Sequence, residues 1–226
     1  MASNDVGHYT RTRDDLHAVA EHVVSAALHA ATGKIGLRAL AGGFGTPRFG
    51  PVGEERQLAV VGTTLVVRWP EGERQTPLTT LREAAAFAPV DPGAPVDVYT
   101  PTTTLDLDRP LSIDPTEARR LADWFALVDE ALNGLRREFE RDDPTIAQLW
   151  PEHFDLGLSL DGVNYGGSPG DASEPMPYLY VGPWKPRSGP FWNRPYGAGR
   201  TRSEVGSPDE ALAFFLEGHE LAAATR

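Results

Sequence analysis

Apolar residues recur at helical spacing over three stretches of the chain. In Asp14–Thr32, Leu16, Val19, Ala20, Val23, Val24, Ala27 and Ala31 fall on one arc, and Gly33 supplies a stop. Asp114-Pro115-Thr116-Glu117 reads as a helix start, with an Asp cap, Pro at the first helical position and Glu three residues after the cap. An apolar stripe from Ala118 through Leu121, Phe125, Val128, Leu132 and Leu135 to Phe139 follows it. Ser207-Pro208-Asp209-Glu210 repeats the device ahead of Leu212, Phe215 and Leu216, with Gly218 as the expected end. A short helix over Leu81–Ala88 is predicted between Thr80-x-x-Glu83 and Pro89.

Strand patterns fill the remainder. Gln57–Val61 and Thr64–Trp69 are β-branched runs joined by Gly62-Thr63, a pair suited to a type II′ hairpin, and Pro70–Glu73 turns into a third strand. Ile35–Leu40, Val96–Thr100, Phe154–Leu160, Val163–Gly166 and Tyr178–Gly182 are further expected strands. Short turns between strands imply antiparallel pairing. The class is therefore α+β, an antiparallel sheet with flanking helices. Residues 1–13 are expected as a disordered tail and 14–226 as one domain, with an irregular connection rich in Pro, Asp and Thr over 90–111.

Composition narrows the function classes. Cysteine is absent from the 226 residues, which removes disulfides, thiol catalysis and cysteine metal sites. A net charge of −11 argues against a surface matched to nucleic acid or anionic membrane. No apolar stretch could span a bilayer, and the polar N-terminus lacks a signal-peptide core, so a soluble cytoplasmic protein is expected.

Several chemical motifs fall short. Gly42-Gly43-Phe44-Gly45-Thr46-Pro47 lacks the Gly-Lys-Ser/Thr ending of a phosphate loop and reads as an irregular loop, flexible enough to serve as a lid. His22 and His29 share a helix edge but stand roughly 10 Å apart along the axis, too far for one metal. They read as solvated or interface histidines, with His17 on another side.

Residues 150–196 differ in character, holding nine of the chain's twenty aromatics among many Gly and Pro. Ordered aromatic loops of this kind tend to be sites or interfaces. Asp161-Gly162 is a type I′ hairpin signal. It sets Ser159 opposite Asn164, Gly157 opposite Gly166, Asp155 opposite Ser168 and His153 opposite Gly170. One face would then carry His153, Asp155, Ser159, Asn164 and Ser168 over a bare glycine floor, with Asp171 just beyond. Trp150, Tyr180 and Trp184 would serve as walls, and Arg187 as a cation beside them. A Ser168–His153–Asp155 nucleophile system lacks both reach and a nucleophile elbow. Metal ligation by His153, Asp155 and Asp171 is one oxygen/nitrogen reading. Capping of the hairpin and its Ser-Pro-Gly-Asp turn by Asp155, Ser168 and Asp171 is the plainer one. From Pro175 to Ser203 there is no acid, while Lys185, Arg187, Arg194, Arg200 and Arg202 interleave with Trp184, Phe191, Trp192 and Tyr196. Such a strip suits a carboxylate or phosphate, or pairing with the chain's surplus acids.

Leu149-Trp150-Pro151-Glu152-His153-Phe154-Asp155, Asn164-Tyr165-Gly166, Ser168-Pro169-Gly170-Asp171 and Pro177–Trp184 resemble a group of bacterial, mainly actinobacterial, proteins of unknown function. Gly33–Arg38 and Gly42–Pro47 extend the likeness. It implies a soluble bacterial cytoplasmic protein and carries no activity, cofactor or catalytic residue. The sequence thus favours binding of a small polar or anionic ligand in an aromatic-lined pocket, without identifying a reaction or cofactor. Its rivals are a homo-oligomeric interaction module, with the strip buried in a homodimer, and a metal-dependent hydrolase.

Overall fold

The computed structural model describes residues 3–224. Contacts group the chain into two compact units, Met1–Asp123 with Leu149–Phe154, and Trp124–Gln148 with Asp155–Arg226. The irregular connection at 90–111 lies wholly inside the first unit. The architecture is α+β with two five-stranded antiparallel sheets.

In the first unit, helix α1 (Ser3–Val19) passes through a π-helical turn (Ala20–Ser25) into α2 (Ala26–Thr32). Residues 3–13, expected as a tail, are thus helical, because Tyr9 and Thr12 are buried at 1% exposure each. Gly33 ends α2 as expected, with φ +71° and its N–H on the His29 carbonyl at 2.8 Å.

A sheet in simple sequential order follows: β1 (Arg38–Leu40), β2 (Gly43–Gly45), β3 (Gln57–Val61), β4 (Thr64–Trp69) and β5 (Gly72–Pro77). The β3–β4 hairpin pairs Val61 with Thr64 around Gly62 at φ +57°. The Gly42–Pro47 run is not a lid. Gly43 and Gly45 lie in a buried strand whose backbone approaches β3 so closely that a Cβ on either would overlap a β3 carbonyl oxygen. Helix α3 (Leu81–Phe87) is capped by the Thr80 hydroxyl, which accepts from the Glu83 N–H at 3.1 Å. Val96–Thr100 forms a turn and irregular chain, not a strand.

Helix α4 (Pro115–Glu138) begins at the predicted Asp114 cap, whose carboxylate accepts from the N–H groups of Thr116 and Glu117 at 2.8 and 3.1 Å. Its residues from Trp124 onward belong to the second unit. After β6 (Gln148–Trp150) come β7 (Asp155–Leu160), β8 (Val163–Ser168), β9 (Tyr178–Pro183) and β10 (Ala198–Thr201), adjacent in that order. One face of this meander presents Leu156, Leu158, Tyr165, Leu179 and Val181, all at 3% exposure or less. Trp124 and Val128 of α4 pack on it at Gly167, where a Cβ would come within 2.5 Å of a Val128 methyl. The final helix α5 (Pro208–Ala223) starts at the Ser207 cap and runs through Gly218, the expected stop. Gly218 is a contact residue: a Cβ there would meet both Val181 methyls at 2.9 Å. Helix and sheet need a bare backbone at that point.

Candidate functional site

The expected site residues divide between the units. Trp150 and His153 belong to the first, and the other eight to the second. His153 is exposed in a turn, and the strand does not begin until Asp155 because Phe154 adopts φ +53°. The predicted pairing of His153 with Gly170 is therefore absent, and no polar strand face carries the histidine.

The β7–β8 hairpin otherwise has the expected register, with Ser159 opposite Asn164 and Gly157 opposite Gly166. Asp161 and Gly162 take φ +54° and +75°, the two positive values that a type I′ turn requires. The glycine floor is not bare. Tyr180, paired to Gly166 from β9, lays its phenol across both glycines and donates to Asp155 Oδ2 at 2.6 Å. A Cβ on Gly157 would come within 2.6 Å of the Tyr180 hydroxyl, so the two glycines make room for that ring. Burial, then the Asp155 charge and hydrogen bond, hold the Tyr180 phenol protonated far above its ordinary range.

The rest of this face is similarly engaged. Asn164 Oδ1 accepts from Ser159 Oγ at 2.8 Å and from Trp184 Nε1 at 3.0 Å. Ser168 Oγ accepts from the Gly170 N–H at 3.1 Å. Asp171 Oδ1 accepts from Ser173 Oγ and from the N–H groups of Ser173 and Glu174, while Oδ2 accepts from the Tyr178 hydroxyl at 2.6 Å. Burial would raise the Asp171 pKa, but these bonds outweigh it and hold the carboxyl at about 2. Ser168 and Asp171 therefore cap the turn by bonds to backbone N–H groups, as the plainer reading expects, while Asp155, expected to do the same, takes the Tyr180 phenol. Among the described residues no group of three or more His, Asp or Glu could hold a metal ion.

Open space lies instead at the hairpin tip. A cleft of about 290 Å³ is lined by Asp161, Gly162, Trp184, Lys185, Arg187 and Ala222, among others. Trp184 is 68% exposed, yet its indole is fixed by Asn164 and rests on Gly162. Arg187 donates from Nη2 to the Ala222 carbonyl in the last turn of α5 at 2.9 Å. Its Nε is buried with no hydrogen-bond partner among the described residues. Elsewhere in the basic strip, Arg200 pairs with Glu217 at 3.1 Å and lies over the Phe214 ring, and Arg194 stands 3.9 Å from Glu174. Pairing with surplus acids thus accounts for those two arginines, Arg202 donates to the Val205 carbonyl, and Lys185 and Arg187 stand at the cleft.

A second polar constellation, in the first unit, was not anticipated. Glu21, His22 and Ser25 of the π-helical turn and His17 of α1 are buried, with Glu21 fully so, where the sequence suggested solvated or interface histidines. Glu21 accepts from the Thr102 N–H at 3.0 Å, the Thr103 N–H at 2.7 Å and the Thr103 hydroxyl at 2.5 Å. His22 Nδ1 accepts from the Ala94 N–H at 3.0 Å, and its carbonyl accepts from the Gly93 N–H at the same distance. His17 Nε2 donates to the Pro151 carbonyl at 2.7 Å, and its ring stacks on Phe154 at 5.0 Å. Further along α1, Asp15 accepts from Arg109 at 2.6 Å and the Ser112 N–H at 2.5 Å, and Thr12 accepts from the Asp114 N–H at 3.0 Å. This row of buried acceptors pins the irregular connection along its length. Burial lowers the pKa of both His17 and His22. The only sequence trace was an excess of polar residues on an otherwise apolar helix.

No family model, curated protein or solved structure matches the chain. No helix among the described residues is long and apolar enough to cross a membrane.

Proposed function

We propose that the protein binds a small anionic ligand, a carboxylate or phosphate, in the Trp184–Lys185–Arg187 cleft. The supporting observation is Arg187: its guanidinium is anchored to the end of α5 while its buried Nε lacks a partner among the described residues. A buried charged donor of this kind is costly unless something accepts from it. The fixed indole of Trp184 offers an apolar wall beside two cations. The cytoplasmic setting expected from the sequence fits such a ligand, and nothing in the cleft assigns a reaction.

A thermal-shift and calorimetric series with inorganic phosphate, acetate, citrate and benzoate tests this reading. Bound ligand stabilises the fold by mass action, about 2.7 kcal/mol at a hundredfold excess over Kd. Arg187→Met, which keeps the aliphatic packing, should abolish the shift. If none of these probes binds the native chain, the proposal fails. The exposed indole of Trp184 and the phenol of Tyr196, 44% exposed, support the rival reading of a homodimer interface. Light scattering after size exclusion separates the two: a monomer that binds anions excludes the rival, and a dimer split by Trp184→Ala favours it.

A further inference from the structure

The His22 contacts define a tautomer. A backbone amide can only donate, so the Ala94 N–H requires an unprotonated Nδ1 on His22. The ring proton then sits on Nε2, which faces the Thr103 carbonyl at 3.2 Å and the Thr103 hydroxyl at 3.0 Å. The carbonyl can only accept, which completes the assignment. His22 therefore bridges both ends of the segment from Gly93 to Thr103 and does so only as a neutral ring. Protonation would place an N–H on Nδ1 against the Ala94 N–H in a site where His22 is 2% exposed.

We propose that residues 93–103 form an acid-released strap, latched to the π-helical turn through neutral His22 and set free when that ring takes up a proton. The strap contains no helix or strand, so its order comes from such anchors. Gly93, at φ +153°, brings the chain onto the His22 carbonyl.

The charges around the latch act in both directions. On the turn itself, Glu21 attracts a proton to His22, but its carboxylate already accepts three hydrogen bonds from Thr102 and Thr103. His17, with Asp14 and Arg13 near it, faces Glu21 from α1. On the strap, Tyr99 faces Glu21 and also Glu152. Asp97 stands 3.5 Å from His29 of α2, a pair that protonation strengthens and that opposes release. On α3, Arg82 is engaged with Asp108 and Glu83 with Thr79, so neither supplies a counter-charge to the ring. Desolvation is the largest influence on His22 and disfavours its charged form. The sign follows: a folded pKa below the released value of about 6.5 means that the closed strap is fully favoured above pH 6.5 and weakens as pH falls below it.

Hydrogen exchange read by mass spectrometry, corrected for the intrinsic pH dependence of amide exchange, tests the latch at pH 7.5, 6.5 and 5.5. One proton taken up on opening gives at most a tenfold rise in opening per pH unit, a slope approached only below the released pKa. The peptide covering 93–103 should therefore open up to about tenfold more at pH 5.5 than at pH 7.5, about fivefold of it between pH 6.5 and 5.5, while the β7–β8 hairpin does not change. His22→Asn places an amide oxygen where Nδ1 accepts and removes the titration, so its strap should stay closed across the range. An unchanged strap in the native chain, or an equal rise in His22→Asn, overturns the proposal. Should His22→Asn fail to fold, imidazole carbon shifts of the native chain decide. The Nε2–H tautomer at pH 7.5, titrating together with strap opening, supports the latch, and the Nδ1–H tautomer or a titration without opening refutes it.

Discussion

Glu21 and Asp155 are both carboxylates held in a protein interior, one in each unit, and they are satisfied by opposite means. Glu21 accepts from the backbone and hydroxyl of a segment more than eighty residues away that has no regular structure. Asp155 accepts from a phenol two strands across its own sheet, over glycines already in register. In the first case the carboxylate creates order in its partner. In the second the sheet supplies the order and the carboxylate receives it. Removing the acceptor should accordingly cost more at Glu21 than removing the donor costs at Asp155.

The largest effect is expected for Glu21→Ala. It takes the acceptor from the Thr102 and Thr103 N–H groups, empties a buried position and frees the strap, and should lower stability by about 3 kcal/mol in urea denaturation. A loss no greater than that of Tyr180→Phe would break the comparison. Next comes Gly157→Ala, whose Cβ meets the Tyr180 hydroxyl. It should cost about 2 kcal/mol by overpacking. In a Tyr180→Phe background that cost should shrink, because the hydroxyl it collides with is gone, and a double-mutant cycle reads the coupling directly. Tyr180→Phe alone should cost about 1–2 kcal/mol, through the lost bond to Asp155.

Asp171 gives the smallest effect. Its folded pKa of about 2 lies below the ordinary 3.8, so its contribution is fully present above pH 4 and is lost as pH falls toward 2. The group is largely solvated, and screening limits the contribution to about 1 kcal/mol. Urea unfolding of the native chain and Asp171→Asn, followed by circular dichroism at a series of pH values, should differ by that amount above pH 4, and the difference should vanish as pH falls toward 2.

The same contrast separates what was legible in the sequence from what was not. The caps at Thr80, Asp114 and Ser207 and the Asp161-Gly162 turn are local devices, complete within four residues, and each appears where its pattern places it. The hairpin register followed from that turn. Tyr180 on the glycine floor required knowing that β9 lies beside β8, which the Gly157/Gly166 pair hinted at without naming the occupant. The strand expected at Val96–Thr100 failed for a non-local reason. Its β-branched residues favour extended pairing, but the amides flanking it at Ala94, Thr102 and Thr103 are taken by His22 and Glu21. Gly218 misled similarly, since a residue that usually stops a helix is here the place where α5 touches Val181.

The interleaving of the two units has a consequence for synthesis. The first unit needs Leu149, which exchanges both backbone bonds with Leu37, and Phe154, which covers His17 and Phe44. A nascent chain that has emerged only as far as Asp123 thus lacks the piece that covers His17 and Phe44. Closure has to wait until the whole of α4 and the turn after β6 have left the ribosome. A chain that ends between those points lacks the piece that closes the first unit. A circular permutant that begins at Leu149 would deliver the closing piece first.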